Sequence, residues 1–531
     1  MDFSSLELAP SIAFAVLFLI VLLYTGSALY NVTFHPLAGF PGPKIYGASI
    51  LPSYYDLCRG NSASRTLELH EKYGPVVRLT PNDLSFNSSQ AWKDIYGYRK
   101  GGKHLERDPR FFYTDPSRAQ NIIGANEENH ARLRRVMIHA FSDSALQAQE
   151  SLVTGYCDLL IQRLYSQMES KQAVDMAAWL NFTSFDIIGD LTFGESFDAL
   201  EKGEEHWWMS TIFNGFKMGV LVRTAKEYMT APFGSWIFSA LSRFPAVVRA
   251  QTKFRSFIRD KTLSRLSMEK DREDIMGAIL RHNDKRGLSQ AELGTNAGCL
   301  IIAGSESTAT LLSGLIFYLH NTPRVLALLQ QEIRDAFSTP STINFESVSR
   351  LPYLQACIQE ALRLYPPIPC GLPRQVPAGG ILIDGRFVPE NTSVSMHQLS
   401  TGRSKHNFKD PLKFVPERWL DNVQSDIKGS PSGTNANSGI DYNESASQYV
   451  NDDFAASQPF ALGSRGCLGK NLAFAEMRSI MARLIWHFDM ELQPDSLAWD
   501  QQKVYVLWSK PPLNVKLKAH DRRETDLLAK M

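Results

Sequence analysis

The stretch Phe460-Ala-Leu-Gly463-Ser-Arg465-Gly466-Cys467-Leu-Gly469 sets one sulfur among glycines, with an arginine two residues before it. A lone cysteine is most often a small buried hydrophobe. Here Gly463, Gly466 and Gly469 remove side chains on both sides of the sulfur, so a flat ligand can approach the backbone closely. Residues 470–487 continue with helical periodicity. Cys467 therefore falls just ahead of a helix N-terminus, where the macrodipole favours a thiolate. Arg465 adds a cation nearby. The pattern suits a sulfur anion held against the metal of a macrocycle, and haem iron with a cysteine axial ligand is one known solution.

The rest of the chain is compatible with such a site. Its 531 residues carry 56 Lys+Arg against 55 Asp+Glu, a formal net charge of +1, which argues against nucleic acid as a partner and against an acidic disordered tail. Aromatics at 11% exclude a disordered chain. Cys58, Cys157, Cys299, Cys357, Cys370 and Cys467 are too few and too scattered for a disulfide scaffold. They form no CxxC pair, which argues against zinc, and they point to a reducing compartment.

Between Glu7 and Lys44 no residue carries a full charge, and Ile12–Tyr24 is wholly apolar. About 20 helical residues rising about 1.5 Å each cross a bilayer core, so residues 9–30 suffice for a transmembrane anchor. A signal peptide would have a positive n-region, whereas Asp2 and Glu7 lie here without any Lys or Arg. Basic residues begin at Lys44, Arg59 and Arg65, which places the bulk of the protein in the cytosol and residues 1–8 in the lumen. Residues 31–45, with Pro36, Pro41 and Pro43, read as a non-helical hinge or linker.

The body, residues 46–531, shows mainly helical periodicity without repeats, plus short strand-like runs at Val76–Leu79, Ile381–Ile383 and Val394–Met396. The expected fold class is mainly α with small β-sheets. Residues 422–453, rich in Ser, Gly and Asn, read as a low-complexity surface insertion.

Three further constellations carry chemistry. A helix is expected over Ser289–His320, with Ala303-Gly-Ser-Glu306-Ser307-Thr308 at its middle. A carboxylate in an apolar helix is costly without a role, and the surrounding run CLIIAGSESTATLLSGLIF argues against a face turned to water. Small residues with hydroxyls can also loosen the helical ladder and admit water or a ligand. Glu360 and Arg363 lie three apart on one helix face and can pair. Downstream stands Phe414-Val-Pro416-Glu417-Arg418-Trp419. His130 and Arg134 share another helix face, while Arg132 and Arg135 read as its solvated side.

These segments, in this order, resemble the cytochrome P-450 superfamily. The cysteine stretch is similar to its haem loop F-x-x-G-x-R-x-C-x-G, and the others to A-G-x-[DE]-T-[TS], E-x-x-R with P-E-R-F, and W-x-x-x-R. The resemblance implies the cytochrome P-450 fold, a single haem domain behind one N-terminal transmembrane helix. It implies haem b bound by Phe460, Gly463, Arg465, Cys467 and Gly469, with Cys467 as the axial iron ligand. His130, in place of tryptophan, and Arg134, Arg374 and Arg465 would contact the haem propionates. Glu306 and Ser307 would relay protons to bound O2, with Thr308 assisting; Ser307 departs from the family's threonine. Glu360, Arg363 and Arg418 would form a buried charge triad, with Trp419 neutral.

The function so implied is a monooxygenase that inserts one oxygen atom from O2 into a bulky lipophilic substrate, by hydroxylation or epoxidation. Electrons would come from NADPH through NADPH–cytochrome P-450 reductase, with cytochrome b5 as a second donor and Arg132, Arg135 and Lys470 as docking contacts. The enzyme would sit in the endoplasmic reticulum membrane, single-pass, with the catalytic domain cytosolic. Residues 101–124, 207–244, 368–372 and 505–508 would line the substrate pocket. The texture looks most like fungal members acting on secondary metabolites, terpenoid or polyketide. Two other classes stand beside this reading. A haem-thiolate isomerase or dehydratase would need no reductase, and the Glu306-Ser307 pair argues against it. A non-enzymatic membrane-tethered haem-binding protein would need neither relay nor apolar pocket.

Overall fold

The computed structural model describes residues 4–98, 104–111, 118–170, 172–211, 215, 217–219, 243, 245–268, 272–420 and 447–520. Its axis is the 31-residue helix Gln290–His320. Ser289 begins it with a capping box, its hydroxyl accepting from the Glu292 N–H while the Glu292 carboxylate accepts from the Ser289 N–H. Among the described residues this helix has the length and hydropathy to cross a membrane, yet 72% of its apolar window is buried within the protein. It packs along Met176–Phe193, and the contact is close because a Cβ on Gly304 would lie 2.7 Å from Ile188. Pro352–Leu364 and Lys470–His487 complete the helical core around it.

A five-stranded sheet flanks this core, in the order Val76–Thr80, Asp83–Phe86, Ser393–Met396, Arg374–Gln375, Glu106–Arg107. Asp83–Phe86 and Ser393–Met396 run parallel, with Leu84 opposite Val394; the other pairs are antiparallel. Glu106–Arg107 thereby reaches Arg374–Gln375, with Arg107 directly opposite Arg374. A three-stranded sheet joins Val174–Asp175, Asn514–Ala519 and Phe488–Leu492, and Ile381–Ile383 with Arg386–Val388 and Lys503–Tyr505 with Leu507–Ser509 form separate hairpins. The mainly helical fold with small sheets matches the sequence expectation, and all three strand-like runs fall on strands.

The N-terminal helix spans Ser4–Thr33 and leaves Phe14, Phe18, Leu22 and Leu23 exposed. Its described apolar stretch, Phe18–Thr33, is shorter than a full span. The hinge is shorter than the expected 31–45, because the first helix continues to Thr33 and another begins at Lys44. Arg78 donates to the Asn31 carbonyl at 2.9 Å, and Asn31 Nδ2 donates to the Ala48 carbonyl at 3.0 Å, tying the helix end to the body. The expected surface insertion is also shorter than its composition suggests. Residues 421–446 lie outside the described residues, but Tyr449 and Asp452 are buried in the body.

Candidate active site

Phe460–Gly469 forms a closed loop. The Cys467 N–H donates to the Phe460 carbonyl at 2.9 Å and the Gly466 N–H to Gly463 at 3.1 Å. The chain itself demands Gly463, whose φ is +72° and whose Cβ would lie 2.1 Å from the Tyr96 carbonyl oxygen. A Cβ on Gly469 would meet only ordinary contact, 3.7 Å from Phe141. Gly469 N-caps Lys470–His487, so Cys467 stands just before a helix as the sequence indicates. The expected thiolate does not follow from that placement alone. Cys467 opens to a cavity but is enclosed elsewhere, and burial pushes its thiol up; the Gly469 N–H, Arg134 and Lys470 oppose this without winning. A sulfur anion here needs the charge of a bound metal.

The cavity has a volume of about 2470 Å³ and lies between this loop and the long helix. Phe460, Cys467 and Gly469 line one wall, and Ala303, Gly304, Ser307 and Thr308 the facing one. Ligand pockets are commonly about 300–1,000 Å³, so there is room for a macrocycle and a second bulky molecule together.

At one edge of the cavity His130, Arg134, Arg107 and Arg465 converge, with Arg374 buried behind them. Burial and the charges of Arg465, Arg107, Arg134 and Arg374 push His130 down to about 3. Burial, Arg465 and Arg374 pull Arg107 down to about 9. Like charges directly opposite on a sheet repel, and Arg107 faces Arg374 across two strands. Arg374 Nε and Arg465 Nε and Nη1 are buried without a hydrogen-bond partner, while Arg465 Nη2 reaches Glu127 at 3.2 Å. A planar dianion at this edge satisfies those groups. The residues thus fit a haem: a sulfur in one wall that could hold the iron, and a cluster of guanidinium groups at one edge that could pair with its carboxylates.

The chain is a member of the cytochrome P450 family. Residues 41–519 match the family model described as Cytochrome P450. The chain is 41% identical to cytochrome P450 monooxygenase astJ of Aspergillus oryzae over 505 residues, covering 94% of this chain and 95% of that one. It is 41% identical to the trichothecene C-4 hydroxylase of Trichoderma arundinaceum over 497 residues, 93% and 94% of the two chains. A third relative, cytochrome P450 monooxygenase astA of Talaromyces wortmannii, shares 41% over 492 residues, 92% and 94%. Membership makes the protein a haem-thiolate monooxygenase that uses O2, electrons from a redox partner and a lipophilic substrate, with relatives in fungal secondary metabolism.

The cytochrome P450 helix facing Cys467 differs in detail from the sequence reading. It is continuous through Ala303–Thr308 rather than loosened, with the Ser307 hydroxyl donating to the Ala303 carbonyl at 2.6 Å. Glu306 is buried, but its carboxylate is engaged: Lys510 Nζ lies 2.7 Å from Oε1, and the Thr310 hydroxyl donates to the same oxygen at 2.9 Å. Burial pushes the Glu306 carboxyl up, and Lys510 and Thr310 offset that only in part. Thr308 does not face Ser307's partner but donates to Glu476 Oε2 at 3.2 Å. Glu476 lines the cavity, and burial raises it to about 8. Sequence reasoning missed Lys510, Thr310, Glu476 and Arg107. Glu476 had the same signal as Glu306, a carboxylate inside an apolar helix.

The charge triad is assembled and larger than expected. Glu360 binds Arg363 twice, at 2.8 and 2.7 Å, and Arg418 at 3.2 Å, all fully buried. Trp419, read as neutral, donates its indole N–H to Glu360 at 2.8 Å. Asp452 pairs with Arg418, so two arginines face two carboxylates. Burial opposes ionisation of Glu360, but Arg363, Arg418 and Trp419 hold it below the usual carboxylate range.

All four expected pocket segments contribute to the cavity wall: Phe111 and Ile122 from the first, Thr211 and Met218 from the second, Ile368 and Leu372 from the third, and Val506 and Leu507 from the fourth. Tyr505 and Trp508 are buried behind it, Trp508 donating to the Pro366 carbonyl. Trp208 is core, packed on Phe185, Phe197 and Phe257. Residues 101–103, 112–117, 212–214, 216, 220–242 and 244 of these segments lie outside the described residues. Arg132 is not a solvated cation, since it pairs with Glu292 and donates to the Gly287 carbonyl. Arg135 is exposed and pairs with Asp284; Lys470 is exposed at the loop's edge.

Proposed function

We propose that the protein inserts one atom of O2 into a bulky lipophilic small molecule of fungal secondary metabolism, terpenoid or polyketide, by hydroxylation or epoxidation. The observation that carries this is one cavity with Cys467 on one wall and the Ala303–Thr308 segment on the other. Bound there, haem b supplies oxygen activation with electrons from NADPH. The chain's own residues do the rest. Cys467 would hold the haem iron through its sulfur, and the helix start behind it, with Arg134 and Lys470, favours the anion. Arg134 also donates to the Gly466 carbonyl at 2.8 Å and fixes the loop. His130, Arg134, Arg374 and Arg465, joined by Arg107, would hold the propionates. Glu306 and Ser307 carry protons from the interior toward the cavity, and Glu476 stands behind Thr308 as a second acid. Ile188, Ile302 and Leu362 exclude water from the substrate side.

Residues 9–30 anchor the protein once in the endoplasmic reticulum membrane, with residues 1–8 lumenal and the catalytic body cytosolic. Support comes from the apolar side chains that the N-terminal helix leaves uncovered. NADPH–cytochrome P-450 reductase, with cytochrome b5, supplies electrons. Comparing metabolites of a host with and without the protein, beside its reductase, tests the function: a new oxygenated lipophile dependent on Cys467 is expected. Cys467→Ala removes the red-shifted Soret band of the reduced carbonyl complex; persistence of that band overturns the ligand assignment.

A further inference from the structure

We infer that Lys510 is the positioning residue for the relay acid, a cation brought by the C-terminal strand hairpin to aim Glu306 and favour its ionised form. The inference rests on the proposed role of Glu306 as a proton carrier. Lys510 Nζ lies 2.7 Å from Glu306 Oε1 and 2.7 Å from Thr310 Oγ1, and Thr310 Oγ1 lies 2.9 Å from the same carboxylate oxygen. The three polar groups close a triangle one helical turn long. Both charged side chains are almost fully buried, at 5% and 6% exposure. A carboxylate taken from water into this apolar helix core protonates unless a partner is fixed beside it.

The placement of Lys510 is itself enforced. It follows the strand Leu507–Ser509 and precedes Pro511 and Pro512, which restrict the backbone. Two indoles pin the segment on either side: Trp508 donates to the Pro366 carbonyl at 2.8 Å and stacks on Tyr365, and Trp499 donates to the Pro511 carbonyl at 2.9 Å. The ammonium is therefore delivered to Glu306 by a rigid support rather than by a mobile surface chain, which reduces the entropy lost in holding it. Thr310 orients the carboxylate from within the helix, and Lys510 supplies both the charge and exchangeable protons next to it. Glu476, on the neighbouring helix Lys470–His487, has a neutral donor instead, the Thr308 hydroxyl.

The test uses the full-length holoenzyme with its reductase and NADPH in air, with no substrate added. Under these conditions O2 is reduced to hydrogen peroxide with one NADPH and one proton, or to two waters with two NADPH and two protons. In either case proton supply limits NADPH oxidation when the relay is impaired. Lys510→Met is expected to slow NADPH oxidation about tenfold, short of the hundredfold or more of a lost general acid, and to raise its solvent deuterium isotope effect. Lys510→Arg restores most of both. Independently of turnover, infrared difference spectra of Lys510→Met against Lys510→Met/Glu306→Gln show a stronger protonated-carboxyl band at neutral pH than wild type against Glu306→Gln. If Glu306→Gln slows oxidation while Lys510→Met changes neither rate, isotope effect nor band, the positioning role is overturned and the relay stands. If Glu306→Gln also leaves rate and isotope effect unchanged, the relay reading itself falls.

Discussion

Glu476 and Glu360 are both buried glutamates within one core, and their surroundings send them in opposite directions. Glu360 has two guanidinium groups and an indole N–H on it and stays ionised. Glu476 has a hydroxyl, and burial takes it from 4.5 to about 8. Its folded form binds a proton that the unfolded chain has released, so its stabilisation is complete below pH 4.5 and is lost as pH rises to about 8. Glu476→Gln, which mimics the protonated acid, is expected to flatten the fall of stability across that window. The slope attributable to one group is at most about 1.4 kcal/mol per pH unit. Denaturant titrations at several pH values check it. Glu332, raised to about 7 by burial, acts with the same sign and leaves a residual slope below pH 7. At Glu360 the expected cost is larger: Glu360→Ala leaves Arg363 and Arg418 buried without their anion, about 3–5 kcal/mol. Trp419→Phe loses one hydrogen bond to a charged group, about 1.5–3 kcal/mol. Equal stability of Trp419→Phe and wild type in urea would show that the indole contact contributes nothing. The sequence pattern revealed Glu360, Arg363 and Arg418 because their spacing is local to short motifs. It did not reveal Asp452, which arrives from a segment whose composition reads as surface.

The long helix is legible because its signals are all local. Ser289 with Glu292 three residues on marks its start, and the apolar run marks its buried course. Ser289→Ala removes the hydroxyl that accepts from the Glu292 N–H and is expected to cost about 1 kcal/mol, read as a lower unfolding midpoint with an unchanged haem spectrum. The cost is held down because Glu292 keeps its pairing with Arg132. What the helix meets is not local. Lys510 reaches Glu306 from 204 residues away, and Arg107 meets Arg374 only because a two-residue strand joins the sheet edge. A strand of that length has no period to detect. The loosening that small residues and hydroxyls allow at Ala303–Thr308 is absent for a related reason: Gly304 serves close packing against Ile188, a contact no sequence spacing announces.

At the scale of the molecule, one helix stands apart from the core while another of similar apolarity is enclosed by it. Gln290–His320 is long and apolar enough to cross a membrane and is nonetheless interior. Composition alone therefore does not separate the two; uncovered surface does. Phe18, Leu22 and Leu23 are 62%, 57% and 63% exposed, and water is a poor medium for such a row. In and just beyond the hinge, Phe34, Ile45, Leu51 and Tyr55 are also exposed, and Arg78 ties the helix end to the body. Removal of residues 1–33 is therefore expected to move the protein from a membrane pellet that resists salt and yields to detergent into a fraction that salt releases. The haem spectrum should be unchanged, because neither Cys467 nor the arginine cradle touches the deleted residues. Fractionation of the full-length and shortened proteins from the same cells checks this. If the full-length protein floats free of membranes without detergent, the anchor is lost, while the site at Cys467 is untouched by that result.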